Sequence, residues 1–466
     1  MSFTRRLHVK WAIWAVGVAA YLLALINRSS FSALGPVAQE HFGAEATALS
    51  SFVFLQLVVY AVCQIPVGVC LDRFGVSWVV ATGMLVMSAA QLLLAAADAV
   101  PVAVLARILL GAGDACIFTS VVRLVAEWFT PRQMPVVNQI TGLAGQVGQL
   151  LAVAPLALAV GAFGWFAGFA GLAALGAVVL VLVVLFLREG PGAATIAERI
   201  TGRGREILTT PAPVPTDTGA LIITEVLPVV GPGSSGVLPA VRSLIRRPGI
   251  RLAFWIHFAT MFSPDAFLLL WGTPFLTGGL GYSDAAAHAV LNIAVIASMV
   301  GALAFGPVIS RFSGHRVQLA LGGVGLMAGS WIALLAWPGP APFALTALVA
   351  VVMAMGIPLS MIAFDVVRSH APARQRGVAT GLVNMGGFTA ALITVLGVGL
   401  LLDAQGAGTP QTYSLQAFRV AMAVQLPLWL LGGIMIAVER PRALRDLQRH
   451  RRGSRPPEAP QPRPAP

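Results

Sequence analysis

The sequence predicts an all-α integral membrane protein with twelve transmembrane helices in two pseudo-symmetric six-helix bundles. Three observations lead to this prediction: an apolar composition, a series of long apolar blocks, and an internal repeat. Of the 466 residues, 57% are hydrophobic and only 10% are charged, and the mean hydropathy is +0.84. A soluble domain carries roughly 25% charged residues, so most of this surface cannot face water.

The apolar blocks have the length of membrane-spanning helices. A run of about 20 apolar residues crosses a bilayer as a helix, and the alternating segments of a membrane β-barrel are absent from the sequence. Proline and glycine inside the blocks are tolerated because neighbouring helices can satisfy the freed backbone groups. The predicted helices, α1 to α12, cover residues 11–36, 51–71, 78–97, 101–126, 136–160, 165–187, 252–277, 285–309, 317–337, 342–366, 377–402 and 416–438.

The basic residues predict the orientation of these helices. If the N-terminus is cytoplasmic, 26 of the 30 lysines and arginines fall in cytoplasmic segments. This positive-inside bias predicts a multi-pass protein of the cytoplasmic membrane with both termini in the cytoplasm. The net charge of +12 is therefore explained by topology, and we expect no nucleic-acid partner because the basic and aromatic residues do not interleave on a soluble domain.

One long polar interruption divides the chain. We predict an N-terminal six-helix bundle at 1–190, a flexible cytoplasmic linker at 191–250, a C-terminal six-helix bundle at 251–439, and a disordered basic cytoplasmic tail at 440–466. The linker and the tail are rich in proline and arginine, and the linker also in glycine, which favours flexible chain over packed structure.

The two halves resemble each other at an offset of 238–239 residues. The segment after α2, Gly68 to Gly75 (GVCLDRFG), matches the segment after α8, Gly306 to Ser313 (GPVISRFS). In α5 and α11, the sequence Thr-Gly-Leu recurs at 141–143 and 380–382, and Gly148 matches Gly387. Six-helix repeats of this kind place a substrate site near the midplane between the halves, which rock to expose it to each side in turn.

These segments resemble the major facilitator superfamily. Gly68 to Gly75 is similar to its signature loop between the second and third helices, and Arg107 to Gly113 (RILLGAG) is similar to its motif in the fourth helix. Val76 and Ser77 stand where the signature loop normally continues with two basic residues, and Ser310 replaces the aspartate in the second half. The resemblance implies a solute transporter that works by alternating access.

Arg28 is the first candidate for a substrate ligand, because apolar residues continue beyond it in α1. A charge inside the membrane is costly and marks functional positions, and arginine holds carboxylate or phosphate with a rigid fork of donors. The context resembles the Asp-Arg pair in the first helix of the anion:cation symporter branch, with Asn27 in place of the aspartate. The alternative is that Arg28 snorkels to the outer interface.

Asp265 is the candidate for coupling to a proton. It follows Pro264 in α7, within one residue of the repeat equivalent of Arg28, so the two side chains are predicted to face each other across a central cavity. His257 can share that face, and carboxylate–histidine groups serve as proton relays. The alternative for His257 is a packed or snorkelling histidine.

Charged residues elsewhere in the helices suggest structural pairs and gates. Asp114 and Arg107 lie seven residues apart on one face of α4, so they either neutralise each other or take part in transport. Glu127 and Asp365 are repeat equivalents at the cytoplasmic ends of α4 and α10. We predict that they form gate ion pairs with the nearby arginines. The predicted gate residues are Asp72, Arg73, Glu127, Arg311 and Asp365.

Uncharged polar residues complete the predicted cavity. Gln56, Tyr60 and Gln64 recur every four residues on α2, Gln146 lies in α5, and Asn384 interrupts α11. The alternative for each is helix–helix hydrogen bonding.

The sequence as a whole predicts a secondary active transporter rather than an enzyme, because no nucleotide-binding, zinc-binding or nucleophile motif occurs in a usable context. We expect a proton-coupled transporter of a small organic anion, since no acidic residue accompanies Arg28 in α1. The alternatives are an exporter of hydrophobic or cationic compounds, with Asp114 and Asp265 as ligands, and a membrane receptor that transports nothing. We expect no cofactor or metal, contact with membrane lipid, and a monomer.

Overall fold

A computed structural model describes residues 3–42, 46–202, 237–312 and 314–453, and this part of the chain is helical without strands. It confirms the all-α membrane fold with two six-helix halves. The first half contains α1 (Phe3–Ala33), α2 (Ala46–Phe74), α3 (Val76–Ala95), α4 (Val100–Trp128), and α5 and α6, which are continuous over Met134–Phe186. In the second half, α7 covers Pro248–Ala266 and continues in π and α turns to Gly279, α8 covers Asp284–Arg311, α9 Arg316–Leu335, α10 Phe343–His370 with two short interruptions, α11 Arg376–Ala404, and α12 Leu415–Met422 and Gln425–Gly453.

Glycine makes two of the tight connections between helices. Gly75 (φ 84°, ψ 171°) separates α2 from α3, and Gly164 (φ 83°, ψ 170°) separates α5 from α6. This backbone conformation is almost exclusive to glycine. The sequence predicted a four-residue gap between α5 and α6 at residues 161–164. The structure has a kink at the single residue Gly164 instead, and the chain is helical on both sides of it.

Ten stretches of the described helices are long and apolar enough to cross a membrane. α5 and α7 carry polar side chains such as Gln139, Gln146 and His257 within their apolar sequences. These two helices are at the centre of the molecule, where α5 packs against α1 and α8, and α7 packs against α11. A helix that is surrounded by protein does not need a fully apolar surface.

The repeated glycines make equivalent contacts in the two halves. Gly148 lets α5 approach the backbone of α1 at Leu22, and Gly387 lets α11 approach α7. Gly68 lets α2 approach the backbone of α11, and its repeat equivalent Gly306 lets α8 approach the backbone of α5. Two buried apolar clusters follow the same division, one built mainly from each half.

Parts of the predicted linker and tail are helical. A short helix at Ile196–Ile200 begins with a capping box between Thr195 and Glu198, and a second helix covers Val237–Ile245. The last helix continues to Gly453, so the prediction of a disordered tail from residue 440 was wrong for the part up to Gly453. The remaining linker and tail residues, 203–236 and 454–466, lie outside the described residues.

Candidate functional site

Arg28 lies inside the bundle rather than at an interface with solvent. Its Nε donates a hydrogen bond to Oδ2 of Asp114 over 2.7 Å, and its side chain is 15% exposed. The guanidinium carbon lies 4.3 Å from the ring centre of Tyr60 and 5.8 Å from that of Phe388. Because α1, α2, α4 and α11 all contribute, the site joins the two halves, and the snorkelling alternative does not describe Arg28.

Asp114 pairs with Arg28 and not with Arg107. The prediction of an Arg107–Asp114 pair was therefore wrong. The acidic partner of Arg28 comes from α4, and not from α1 itself. Spacing along α4 placed Arg107 and Asp114 on one face, but α1 packs against α4 and brings Arg28 closer to the carboxylate.

Arg107 belongs to a polar network inside the first half. It is fully buried, and its Nη1 donates to the backbone carbonyl of Asn27 over 3.4 Å. The side chain of Asn27 accepts a hydrogen bond of 2.9 Å from Gln91. This network ties α1 to α3 and α4, one residue before Arg28 on the chain, so Arg107 positions α1.

Asp265 faces the same region from α7. It lies within electrostatic range of Arg28 and of Tyr21, and its position across a cavity from Arg28 stays a prediction. The described residues give it no ion pair with Arg28, whose hydrogen-bonding carboxylate is Asp114. Asp265 is therefore a carboxylate near the central cation without being fixed to it.

His257 is held by α11 and not by Asp265. Its Nδ1 accepts a hydrogen bond of 3.1 Å from the backbone N–H of Gly387, and its ring packs edge-on against Phe364 at 5.1 Å. It is buried. This geometry matches the packed-histidine alternative, and the predicted carboxylate–histidine relay is not formed.

Two of the predicted uncharged residues form hydrogen bonds between the halves. Asn384 donates to the Tyr60 hydroxyl over 3.1 Å, which links α11 to α2. Gln146 accepts from Ser298 over 2.8 Å, which links α5 to α8. Several buried polar atoms in this region have no hydrogen-bond partner among the described residues: both amide atoms of Gln56 and of Gln64, Nε2 of Gln146, and Nη2 of Arg28.

Asp72 joins α2 to α11 at the end of the bundle where α1 begins at Phe3 and α12 ends at Gly453. We call this end the termini side. Its carboxylate accepts the backbone N–H groups of Gly377 and Val378 over 2.7 and 2.9 Å. It also pairs with Arg123 over 2.5 Å. The first N–H groups of a helix lack internal partners, so Asp72 caps α11 and joins the two halves.

Other contacts close the same side, with different partners from those predicted. Glu127 lies 3.5 Å from Arg376, and Asp365 accepts a hydrogen bond of 3.5 Å from Asn138 of the opposite half. Arg73 and Arg311 are exposed, and no described ion pair includes either of them. The described contacts therefore do not connect either arginine to the gate, and their place in it stays a prediction.

Sequence reasoning missed two gate residues. Arg123 sits one helical turn before Glu127 on α4, and Arg376 begins α11. The available signal was that Arg123 lies inside a predicted membrane helix, and such a charge normally has a partner.

These features define a membrane protein of two six-helix halves with a charged site between them and a gate on one side. The family model of the Major Facilitator Superfamily matches residues 17–395, and the chain belongs to this family of transporters. One relative, "Uncharacterized transporter YybO" of Bacillus subtilis (strain 168), is 32% identical over 133 residues. That alignment covers 28% of this chain and 31% of the relative, so it spans less than a third of the relative's length.

Solved structures with the same fold include three other transporters. The proton:xylose symporter XylE aligns with a TM-score of 0.66 at 16% identity, over 92% of this chain and 95% of its own. The E. coli fucose:proton symporter FucP gives 0.61 at 12% identity, over 91% and 98%. A bacterial homologue of the iron transporter ferroportin gives 0.64 at 15% identity, over 92% and 99%. At these identities the likeness shows the fold alone.

Proposed function

We propose that the protein is a proton-coupled secondary transporter of a small organic anion, which binds to Arg28 at the centre of the cytoplasmic membrane. The observation that carries the proposal is the state of the Arg28 guanidinium. Its Nε is paired with Asp114, while its buried Nη2 has no hydrogen-bond partner among the described residues. A buried donor on a charged group is costly to leave unpaired, and a carboxylate of a solute can accept it.

Asp114 and Asp265 have different parts in this proposal. Asp114 orients Arg28 through a direct hydrogen bond and is its ion-pair partner. The charge of Arg28 acts on the carboxylate of Asp265, but no described hydrogen bond or ion pair joins the two side chains. An anion that binds to Arg28 adds negative charge next to Asp265, and a proton on Asp265 neutralises that charge. One anion and one proton then cross together as the halves rock. Two of the structurally similar proteins are proton symporters by name, which supports the coupling ion.

The described contacts support a state that is closed on the termini side, which we take to be the cytoplasmic side. Hydrogen bonds and ion pairs between the halves involve Asp72, Glu127, Gln139 and Asp365 near that side. In the middle of the bundle, Tyr60 and Gln146 each contact the opposite half.

The second candidate function is export of cationic or hydrophobic compounds. It is favoured by Asp265, a carboxylate inside the bundle with no ion pair among the described residues, and by the aromatic rings around the site. Tyr60 and Phe388 lie 4.6 Å apart, and Phe118 and Phe364 5.3 Å apart.

A flux measurement separates the two functions. The purified protein in proteoliposomes, with an imposed pH gradient, is tested for uptake of a panel of organic anions and a panel of cationic drugs. We expect uptake of an anion in the direction of the proton gradient. Movement of cations alone, against the proton gradient, would favour the exporter and contradict the proposal.

A further inference from the structure

The short helix Val237–Ile245, which we call the linker helix, is held against the bundle by its inner face. Leu244 is fully buried, and Val241 packs against the apolar core that is built mainly from the second half. Ser243 donates a hydrogen bond of 3.3 Å to Gln375, just before α11. The linker helix also contacts α2 and α7, so it has a defined place on the termini side.

Arg251 fixes the end of the linker helix. Its Nη1 donates to the backbone carbonyls of Ile245 and Arg246, each over 2.9 Å, and its Nη2 pairs with Glu439 of α12 over 2.8 Å. The last carbonyls of a helix have no partner within the helix, so this arginine caps the linker helix and ties it to α12. The linker helix is therefore an integral part of the fold, and only its outer face is left without a contact that we can describe.

The outer face of the linker helix is both apolar and basic. Leu238, Arg242 and Ile245 follow each other at spacings of four and three residues, which places them on one stripe of the helix. Leu238 and Ile245 are 78% and 47% exposed, and Arg242 and the adjoining Arg246 are exposed as well. No ion pair among the described residues includes either arginine. Such a face fits a partner that has both an apolar and an anionic part.

The linker helix lies at the level where membrane helices begin and end. Its partner Gln375 stands near the start of the membrane-spanning stretch Ala373–Ala404, and the stretch in α2, which contacts the linker helix, ends at Phe74. The hydrocarbon of a bilayer meets the lipid headgroups at this level. Short amphipathic helices bind in that layer with their apolar side chains among the lipids, while arginine keeps its charged head at the phosphates.

A second short helix that follows α6 lacks this combination. Ile200, at the end of the helix Ile196–Ile200, is 71% exposed. Its basic neighbour Arg199, however, already pairs with Glu189 over 3.1 Å. An exposed isoleucine beside a paired arginine has less to offer to a phosphate, so Ile200 is a matched control for the linker helix.

We propose that the outer face of the linker helix docks on anionic phospholipids of the membrane, with Leu238 and Ile245 between the lipid molecules and Arg242 and Arg246 on their phosphates. The distribution of basic residues predicts that this is the anionic inner leaflet. The surface lies outside the central site and is independent of the proposed function. Because the linker helix contacts α2 of the first half and α7 and α11 of the second, the docked lipids lie beside the seam between the halves.

A spin label measures this docking directly. Leu238→Cys in a cysteine-free background is labelled, and the full-length protein is reconstituted into vesicles of phosphatidylcholine alone or of phosphatidylcholine with phosphatidylglycerol. Oxygen concentrates in the apolar part of a bilayer and a neutral nickel chelate stays in water, so their relative collision rates report the depth of the label. We expect phosphatidylglycerol to move the label from water into lipid. High salt should reverse the shift, because it screens the charges.

Two variants locate the effect. Arg242→Gln/Arg246→Gln should remove the dependence on phosphatidylglycerol, because glutamine carries no charge for the phosphate. A label on Ile200→Cys, the matched control, should have the same depth in both kinds of vesicle. If the cysteine-free protein does not fold, native mass spectrometry compares the phosphatidylglycerol retained by the wild-type protein and by the double arginine variant, and the variant should retain less.

Several results would overturn the proposal. A label at residue 238 that stays in water in every vesicle would leave the outer face for a protein partner. Equal depth with and without phosphatidylglycerol, or a shift that persists in the double arginine variant, would show that the linker helix does not recognise the anionic headgroup. A shift at Ile200→Cys as large as that at Leu238→Cys would show a general effect of phosphatidylglycerol, and equal retention of this lipid by wild type and variant would also contradict the docking.

Discussion

Arg28 carries a permanent charge into the bundle, and its neighbours decide what that charge can do. Asp114 balances it through a direct hydrogen bond, while the rings of Tyr60 and Phe388, which come from opposite halves and pack on each other, lie beside the guanidinium. A buried ion pair contributes little net stability, but removal of one partner leaves an uncompensated charge. The pair therefore makes Arg28 tolerable inside the membrane, and Nη2, which has no hydrogen-bond partner among the described residues, is the donor that we assign to the solute.

Substitution of Asp114 tests the pair as a structural unit. We expect Asp114→Ala to lower the free energy of unfolding by about 3–5 kcal/mol, because the Arg28 guanidinium is left without its counter-ion. Thermal unfolding in detergent measures the loss. The double variant Arg28→Met/Asp114→Leu is the control, and it should regain most of the stability. A single variant as stable as wild type would show that the pair does not form.

Substitution of Asp265 tests the proton-linked role. Asp265→Asn removes the proton site and keeps Arg28 and Asp114, so the variant should still bind substrate and exchange it across the membrane. It should lose the accumulation that a pH gradient drives in wild type. Exchange and accumulation are measured in the same proteoliposomes. An unchanged accumulation ratio would contradict the role of Asp265 and make Asp114 the next candidate.

The site residues could be predicted only in part from the sequence. Their selection rests on one rule, that polar groups inside membrane helices have functions, and the rule found Arg28, Asp114 and Asp265. It could not find the pairing, because Asp114 is 86 residues from Arg28 and only the packing of α1 on α4 brings them together. The spacing within α4 suggested the wrong partner for the same reason.

At the scale of helices, the close approach of α2 and α11 depends on glycine. A Cβ on Gly68 would lie 2.7 Å from the carbonyl oxygen of Gly377, and a Cβ on Gly377 would lie 2.6 Å from that of Gly68. No real side chain fits there without a backbone shift. The same two helices carry the Asp72 lock, and higher in the bundle they carry Tyr60 and Phe388, which contact Arg28. The helix pair thus connects the gate to the central site.

Gly68→Val should open the termini side. Overpacking of a tight contact costs about 1–3 kcal/mol. Because α2 and α11 make this contact in the closed state, the substitution should destabilise the closed state alone. Thr380 is buried in the closed state. When Thr380→Cys is combined with Gly68→Val in a cysteine-free background, the new cysteine should become reactive toward a thiol reagent supplied at the termini side. Gly325→Val on α9 is the control, because nothing lies within 4 Å of a Cβ there. Equal reactivity in the two variants would contradict the importance of the approach.

The gate shows how helix ends limit sequence-based prediction. Charges near helix ends were recognised as a gate, but which ones turn inward depends on the rotation of each helix. Asp72 meets the first turn of α11, while its neighbour Arg73 is exposed. Successive residues on a helix point about 100° apart, so an error of one residue in register exchanges an inward side chain for an outward one.

For the whole molecule, orientation in the membrane is the first quantity to measure. The distribution of basic residues predicts that the termini side is cytoplasmic. A single cysteine in place of Ser243, exposed on the helix Val237–Ile245, should resist a membrane-impermeant maleimide added outside intact cells and react after the membrane is permeabilised. Efficient labelling of intact cells would reverse the assigned orientation.

The architecture of the whole molecule was predictable because the bilayer imposes it. Apolar length and charge bias are set by membrane thickness and insertion, and they indicated twelve helices. The repeat could be recognised in the sequence because the close helix contacts of the two halves need glycine at equivalent positions. The helical part of the tail up to Gly453 was not predicted, because its proline- and arginine-rich composition resembles that of flexible chain, whereas α12 simply continues through it past Pro441.

Uptake by Arg28 variants tests the central claim most directly, that a solute anion binds between the halves at this residue. Wild-type protein, Arg28→Ala and Arg28→Lys are reconstituted at equal amounts, and uptake of a transported anion is measured under an acid-outside pH gradient. We expect no uptake by the alanine variant and little by the lysine variant, because an ammonium lacks the planar fork that pairs with Asp114 and a carboxylate together. Near-normal uptake by the alanine variant would contradict the claim.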